Sequence, residues 1–220
     1  MPEPRHLGEE LDLLKRRLVL MGDLAQQRVR EALEALVARD PRRVREVVTG
    51  DGPINTLQIE IDDHSFTLLA LQQPVAADLR LIVSAVKISV DLERVGDLAV
   101  NIAEAAELYL AHPPVKALVD LPRMSEIAQH ILAAALDAFL SQNAVLAKAV
   151  LAEDDHLDQL KAQVFRELLT YMLGNPKTIE PALDLILISR HLERIGDHAT
   201  NIAEDVIFIT EARDVRHSRR

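Results

Sequence analysis

Two rows of oxygen-bearing side chains carry the chemistry that this sequence offers. Glu93, Asp97 and Asn101 step by four residues, and Glu104 follows; Glu193, Asp197, Asn201 and Glu204 repeat the pattern 100 residues later. Residues four apart share a helix face. At about 100° per residue, each set of four falls within an arc of about 80°. Leu92, Val95, Ala99, Ile102 and Ala106 fall on the opposite side, as do Leu192, Ile195, Ala199 and Ile202. One face of each stretch should therefore be buried, and the other should present a line of oxygen ligands. Carboxylates and amides are hard donors suited to Mg, Mn, Ca or oxidised iron. Like charges at this spacing repel by a few tenths of a kcal/mol per pair. Arg94 and Arg194 offset part of that, and a bound cation would offset more. The competing reading is a solvated acidic face.

The rows belong to a longer internal repeat. Asp91–Glu104 and His191–Glu204 are identical at ten of fourteen positions. Gly96 and Gly196 sit inside these helices at a cost of about 1 kcal/mol each against Ala, which predicts a close approach by a helix, partner or ligand. Upstream, Asp40, Val44, Val47, Asp51 and Ile54 match Asn143, Ala147, Val150, Asp154 and Leu157 at an offset of 103. Asp154 and Asp158 form a further carboxylate pair, and Asp51 and Asn55 stand at the equivalent places. If the helices carrying these pairs are neighbours of the repeated helices, the two pairs of each half face one cation site.

The elements that must position these residues are helices. Apolar residues make up 49 % of the chain but aromatics only 3 %, with seven glycines, a composition that suits packed helices better than a sandwich of strands. Leu11, Leu14, Leu18, Met21, Ala25, Val29, Ala32 and Leu36 step by three or four, predicting a helix over 9–39. Asp40 and Pro41 read as an N-cap and first helical residue. A second helix runs from Pro41 to Gln72 with a bend at Gly50-Asp51-Gly52-Pro53, carried on by Ile54, Leu57, Ile61, Leu68 and Leu71. The third spans 76–110, with Asp78 in its first turn. Prolines at 113, 114 and 122 mark the boundary between halves. The fourth helix covers 123–140. The fifth, capped by Ser141 or Asn143, runs to Leu173 with Gly174 as a C′ residue. The sixth, capped by Thr178, runs to about residue 212. The fold expected is all-α: two tandem, similar three-helix bundles over 1–112 and 122–212, a linker over 113–121, and a basic tail over 213–220.

Several function classes are excluded by the same reading. A net charge of −10 argues against a nucleic-acid footprint. Zero cysteines exclude disulfides, thiolate metal sites and a Cys nucleophile. No stretch reads as a secretory signal or a membrane span, so a cytoplasmic protein is expected, one that meets a membrane only indirectly. There is no Gly-rich phosphate loop and no nucleophile elbow. His64, His130, His156 and His191 read as structural, and His198 points about 100° away from Asp97's counterpart Asp197. Glu153 and His156 form one Glu-x-x-His pair, whereas a buried di-iron site needs two, projecting inward.

Leu92-Glu93-Arg94-Val95-Gly96-Asp97 and Leu192-Glu193-Arg194-Ile195-Gly196-Asp197, each trailed by Asn-Ile-Ala-Glu, resemble the signature of the PhoU family of phosphate-uptake regulators. Pro74-Val75-Ala76-Ala77-Asp78-Leu79-Arg80 and the Asp51 and Asp154 segments extend the resemblance over about residues 7–209. It implies two similar three-helix bundles. It implies metal ions held on the bundle surface, as multinuclear iron or zinc clusters or as Mg or Mn, through motifs that fall on Glu93 and Asp97, Glu193 and Asp197, and Asp154 and Asp158. Asn55 departs from the pattern, so the first-half site is short of one carboxylate. The resemblance further implies a negative regulator of phosphate transport and phosphate homeostasis that couples the phosphate ABC transporter, through its ATPase subunit, to a phosphate-sensing histidine kinase, and that forms homodimers. The expected function is thus a non-enzymatic, metal-binding helical adaptor. Two alternatives stand beside it: a carboxylate-bridged metalloenzyme, di-iron or hydrolytic, and a metal-free bundle whose acidic stripes touch partners directly.

Overall fold

A computed structural model describes residues 4–50 and 52–215. The helices are α1 (Pro4–Ala38), α2 (Pro41–Val48), α3 (Gly52–Gln72), α4 (Ala76–Leu110), α5 (Asp120–Ser141), α6 (Ala144–Gly174) and α7 (Ile179–Glu211), with one 3₁₀ turn at Pro176–Thr178. Six of these are long, three to each half, and α2 is a short extra piece in the first. The described residues contain no strand.

The apolar stripe read from α1 is the stripe that is buried. Leu14, Leu18, Met21, Ala25, Val29, Ala32 and Leu36 are fully enclosed, with Leu11 almost so. Burying a Leu-sized side chain contributes about 1.5–3 kcal/mol, so this stripe fixes the helix's orientation. Leu92, Val95, Ala99, Ile102 and Ala106 of α4 are enclosed likewise, as are Leu192, Ile195, Ala199 and Ile202 of α7. The two bundles do not stand apart. α4 packs along α7, α1 packs against both α4 and α5, and a single hydrophobic cluster runs through every long helix. α3 and α6 flank this centre, each packed on its own half's motif helix.

α4 and α7 run antiparallel. Arg80 donates to the carbonyl of Ile209 at 3.2 Å, Lys87 meets Asp205 at 2.8 Å, and Asp91 meets His198 at 2.8 Å, so numbers rise on one helix as they fall on the other. The two repeated stretches therefore lie side by side. The connection over 111–119 is tied down at both ends. Arg39 donates to the carbonyls of Leu110 and His112, at 3.3 and 2.7 Å, and the Lys116 ammonium is held by Asp120 and by Glu167 of α6.

Local details depart from the sequence reading in five places. The bend expected at 50–53 is a full break. Pro53 lies in the first turn of α3, where its missing N–H costs nothing, and Arg28 of α1 reaches across to donate to the Val47 carbonyl at 3.0 Å. α5 starts three residues early, at Asp120, because Pro122 is tolerated inside a first turn. Gly174 is the last residue of α6 and not a left-handed C′ residue; Asn175 follows in extended conformation and caps the 3₁₀ turn through Lys177 N. Thr178 makes no cap with its side chain, because its hydroxyl donates back to the carbonyls of Tyr171 and Asn175. Leu71 is exposed, lying in the last turn of α3. Asp40 and Asn143 do cap α2 and α6, at equivalent points of the repeat.

Candidate metal centre

The outer helices complete what the motif helices begin. In the first half a Cβ added to Gly96 would lie 3.0 Å from Ile54 Cδ1 of α3; in the second a Cβ added to Gly196 would lie 2.8 Å from both Leu157 Cδ2 and Asp154 Oδ1 of α6. Ile54 and Leu157 are the residues paired by the 103-residue offset. The glycines thus admit a close helix crossing, and in the second half they also admit a carboxylate to the motif face.

That carboxylate is under strain from its neighbours. Asp154 is half-buried, and its carboxyl is pushed up to about 6, first by burial and then by repulsion from Asp197, Asp158, Glu193 and Asp155. Asp197 is pushed up as well, by burial and by Glu193 and Asp158, with His198 and Lys161 pulling the other way. Glu193 is paired with Lys161 of α6, Nζ to Oε1 at 2.6 Å, and Lys161 also lies 3.3 Å from Asp158 Oδ1. Asp154, Asp158, Glu193 and Asp197 are therefore one mutually repelling group with a single lysine at its edge.

The first half is less crowded. Glu93 is partly buried and pushed up by that burial and by Asp97, against the pull of Arg94 and His198. Arg94 reaches Asp97 at 3.2 Å and Glu93 at 3.6 Å. Asn101 is half-buried and Glu104 exposed, on the same outward face. Asn55 is half-buried on α3, and Asp51 lies outside the described residues. In the second row Glu204 is half-buried. Asn201 is committed elsewhere: its amide donates to Asp91 Oδ1 of α4 at 3.1 Å. Among the described residues no three acidic or histidine side chains already converge on one point as metal ligands. The rows border the core without entering it, and each faces outward beside its own outer helix.

Two contacts are not legible in the sequence, the one that His198 makes and those that Lys161 makes. His198 points away from its own row, as expected, but it does so to meet Asp91, with both side chains largely enclosed between α4 and α7. When protonated, its ring pulls on both Glu93 and Asp197, so it lies between the rows. Lys161 was legible only as a residue three positions after Asp158, a spacing that brings two side chains together on a helix. The Glu153–His156 pair faces solvent, and Glu153 turns instead to His130 at 3.5 Å, so the inward pair of a buried di-iron site is not formed by these residues.

A duplicated all-α bundle that displays matched carboxylate rows beside helix-embedded glycines defines a two-repeat helical-bundle protein. The PhoU domain model matches residues 18–106 and again 121–206, and the chain belongs to the PhoU family. It is 41 % identical over 202 residues to the phosphate-specific transport system accessory protein PhoU homolog of Caulobacter vibrioides, covering 91 % of this chain and 88 % of that protein. The homolog from Aquifex aeolicus is 41 % identical, with 96 % of each chain covered. The crystal structure of PhoU from Pseudomonas aeruginosa superposes with a TM-score of 0.89 at 37 % identity, over 94 % of this chain and 99 % of that one. The phosphate transport system regulatory protein PhoU from Streptococcus pneumoniae gives 0.88 at 28 %, over 95 % and 99 %. No helix among the described residues is long and apolar enough to cross a membrane.

Proposed function

We propose that this protein is a cytoplasmic, metal-binding adaptor that restrains phosphate uptake and the phosphate-starvation response, docking as a homodimer on the ATPase subunit of the phosphate ABC transporter and on a phosphate-sensing histidine kinase. The relatives are named as accessory proteins of a transport system, which supports a regulatory role for this chain. The observation that carries the metal reading is the second-half group: four carboxylates from two helices repel one another without yet converging on one point, and one of them sits in a cradle that a Cβ on Gly196 would fill. Such a donor set suits a hard divalent ion, or iron or zinc bridged by carboxylates. Asp154, Asp158, Glu193 and Asp197 would hold the ion in the second half, and Glu93 and Asp97 with Asp51 in the first. The ion would supply positive charge that relieves the repulsion and locks each outer helix to its motif helix. Asn101, Glu104 and Glu204 extend the rows and would add donors at their ends, while Asn201 would have to leave Asp91 to do so.

Docking through charged, outward faces weakens as salt rises. The test is co-purification of the full-length protein with the transporter ATPase subunit and with the kinase, at low and high salt. Wild type is expected to retain both partners, and Glu93→Ala/Asp97→Ala/Glu193→Ala/Asp197→Ala to lose them. Capture of both partners by the folded quadruple variant, with unchanged salt dependence, would refute docking through these rows.

A further inference from the structure

We propose that Lys161 is the resident counter-ion of the second-half carboxylates: its ammonium, 2.6 Å from Glu193 Oε1 and 3.3 Å from Asp158 Oδ1, holds the place of a divalent cation and must leave before one binds. This rests on the metal-binding reading above and specifies how loading of the two halves differs.

Three observations support it. Lys161 bridges the two helices that a bound ion would bridge, since Asp158 lies on α6 and Glu193 on α7. It satisfies only one edge of the group: among the described residues no ion pair or hydrogen bond reaches Asp154, which remains pressed by its acidic neighbours. The third is in the repeat. The offset of 103 that pairs Asp154 with Asp51 places Asp158 on Asn55 and Lys161 on Gln58. The extra carboxylate and the lysine occur together in one half and are both neutral amides in the other. Lys161 therefore answers Asp158.

The exchange needs only side-chain rotation. Lysine is a compact charge on a flexible four-carbon stem, and this one is partly exposed, so it can swing to solvent without moving either helix. A cation entering the first half meets Arg94 instead, which lies 3.2 Å from Asp97 and 3.6 Å from Glu93 on the same helix and ties no second helix to the site. One entering the second half displaces Lys161 and then meets one carboxylate more. The freed ammonium adds a positive charge beside the loaded face, so occupancy of this site rewrites the charge pattern that a partner meets.

The test titrates chelator-stripped, full-length protein with Mn²⁺ alone and follows free Mn²⁺ by electron paramagnetic resonance. Lys161→Met should tighten one class of sites about tenfold or more, since it removes a like charge from the ion's immediate surroundings. That gain should vanish when Glu193→Gln and Asp197→Asn are added. Gln58→Lys should weaken the other class, and Lys148→Met, on the outer surface, should change neither. Independently of any variant, amine labelling of Lys161 read by mass spectrometry should rise as Mn²⁺ is added to wild type. Unchanged affinity in folded Lys161→Met, or labelling of Lys161 that ignores Mn²⁺ while Mn²⁺ binds, would overturn the counter-ion role and leave metal binding standing. Absence of Mn²⁺ binding in both wild type and Lys161→Met would overturn the metal reading itself.

Discussion

Replacing Asp154 by Asn should stabilise the metal-free protein at neutral pH. Its carboxyl is pushed from an ordinary 3.8 up to about 6, chiefly by burial and then by Asp197, Asp158, Glu193 and Asp155. At about 1.4 kcal/mol for each tenfold change in proton affinity, that gap corresponds to about 3 kcal/mol before screening. The group is only half-buried, so solvent removes about half, leaving about 1–2 kcal/mol. For a chain of this length that is about 3–6 °C in Tm. The sign follows from the direction of the shift. The folded state holds the proton more tightly than the unfolded one, so the favourable contribution is complete below about 3.8 and is lost as pH rises through about 6. Asn cannot ionise, so its advantage over Asp should be full at pH 7.5 and should fade by pH 4.5. Thermal unfolding with a chelator present, followed by circular dichroism at both pH values, measures this. The reasoning fails if Asp154→Asn is no more stable than wild type at pH 7.5, or if its advantage is the same at pH 4.5.

Further outcomes follow from the same geometry. Gly196→Ala gains about 1 kcal/mol of helix propensity but drives a methyl into Asp154 and Leu157, an overpacking cost of about 1–3 kcal/mol, so a net loss in chemical denaturation is expected. Gly96→Ala meets only the end of the Ile54 side chain at 3.0 Å and should be near neutral in the same assay. His198→Ala removes the partner 2.8 Å from Asp91 in the α4–α7 seam and leaves a largely enclosed carboxylate with Asn201 alone, which should cost about 1–3 kcal/mol in urea unfolding. An unchanged urea midpoint in that variant would show that the seam contact carries no net stability.

Much of this was legible in the chain because it depends on period alone. The stripe from Leu11 to Leu36 and the apolar faces opposite Glu93 and Glu193 are set by 3.6 residues per turn, and all are enclosed. The pairing of Ile54 with Leu157 was legible too, since duplication preserved it, and both side chains lie over the matching glycine. What depends on contacts between distant residues was not legible. Nothing local says that Asn201 turns to Asp91, because that partner lies 110 positions away and becomes a neighbour only through antiparallel packing of α4 on α7. The break between Val48 and Gly52 reads as a bend in the sequence because apolar spacing resumes at Ile54; the side chain that reaches across from α1 to the end of α2, Arg28, comes from another helix. Lys161 is not legible either, because a lone lysine on an acidic helix reads as a solvated charge until Glu193 of α7 is placed beside it.

The central claim is that the two outward carboxylate rows hold metal ions. Elemental analysis of protein purified without chelator, wild type against Glu93→Ala/Asp97→Ala/Glu193→Ala/Asp197→Ala, tests it most directly. The account predicts stoichiometric metal in wild type and loss of nearly all of it from the folded variant. Metal retained in the variant at the wild-type ratio, or none in either protein, would contradict it.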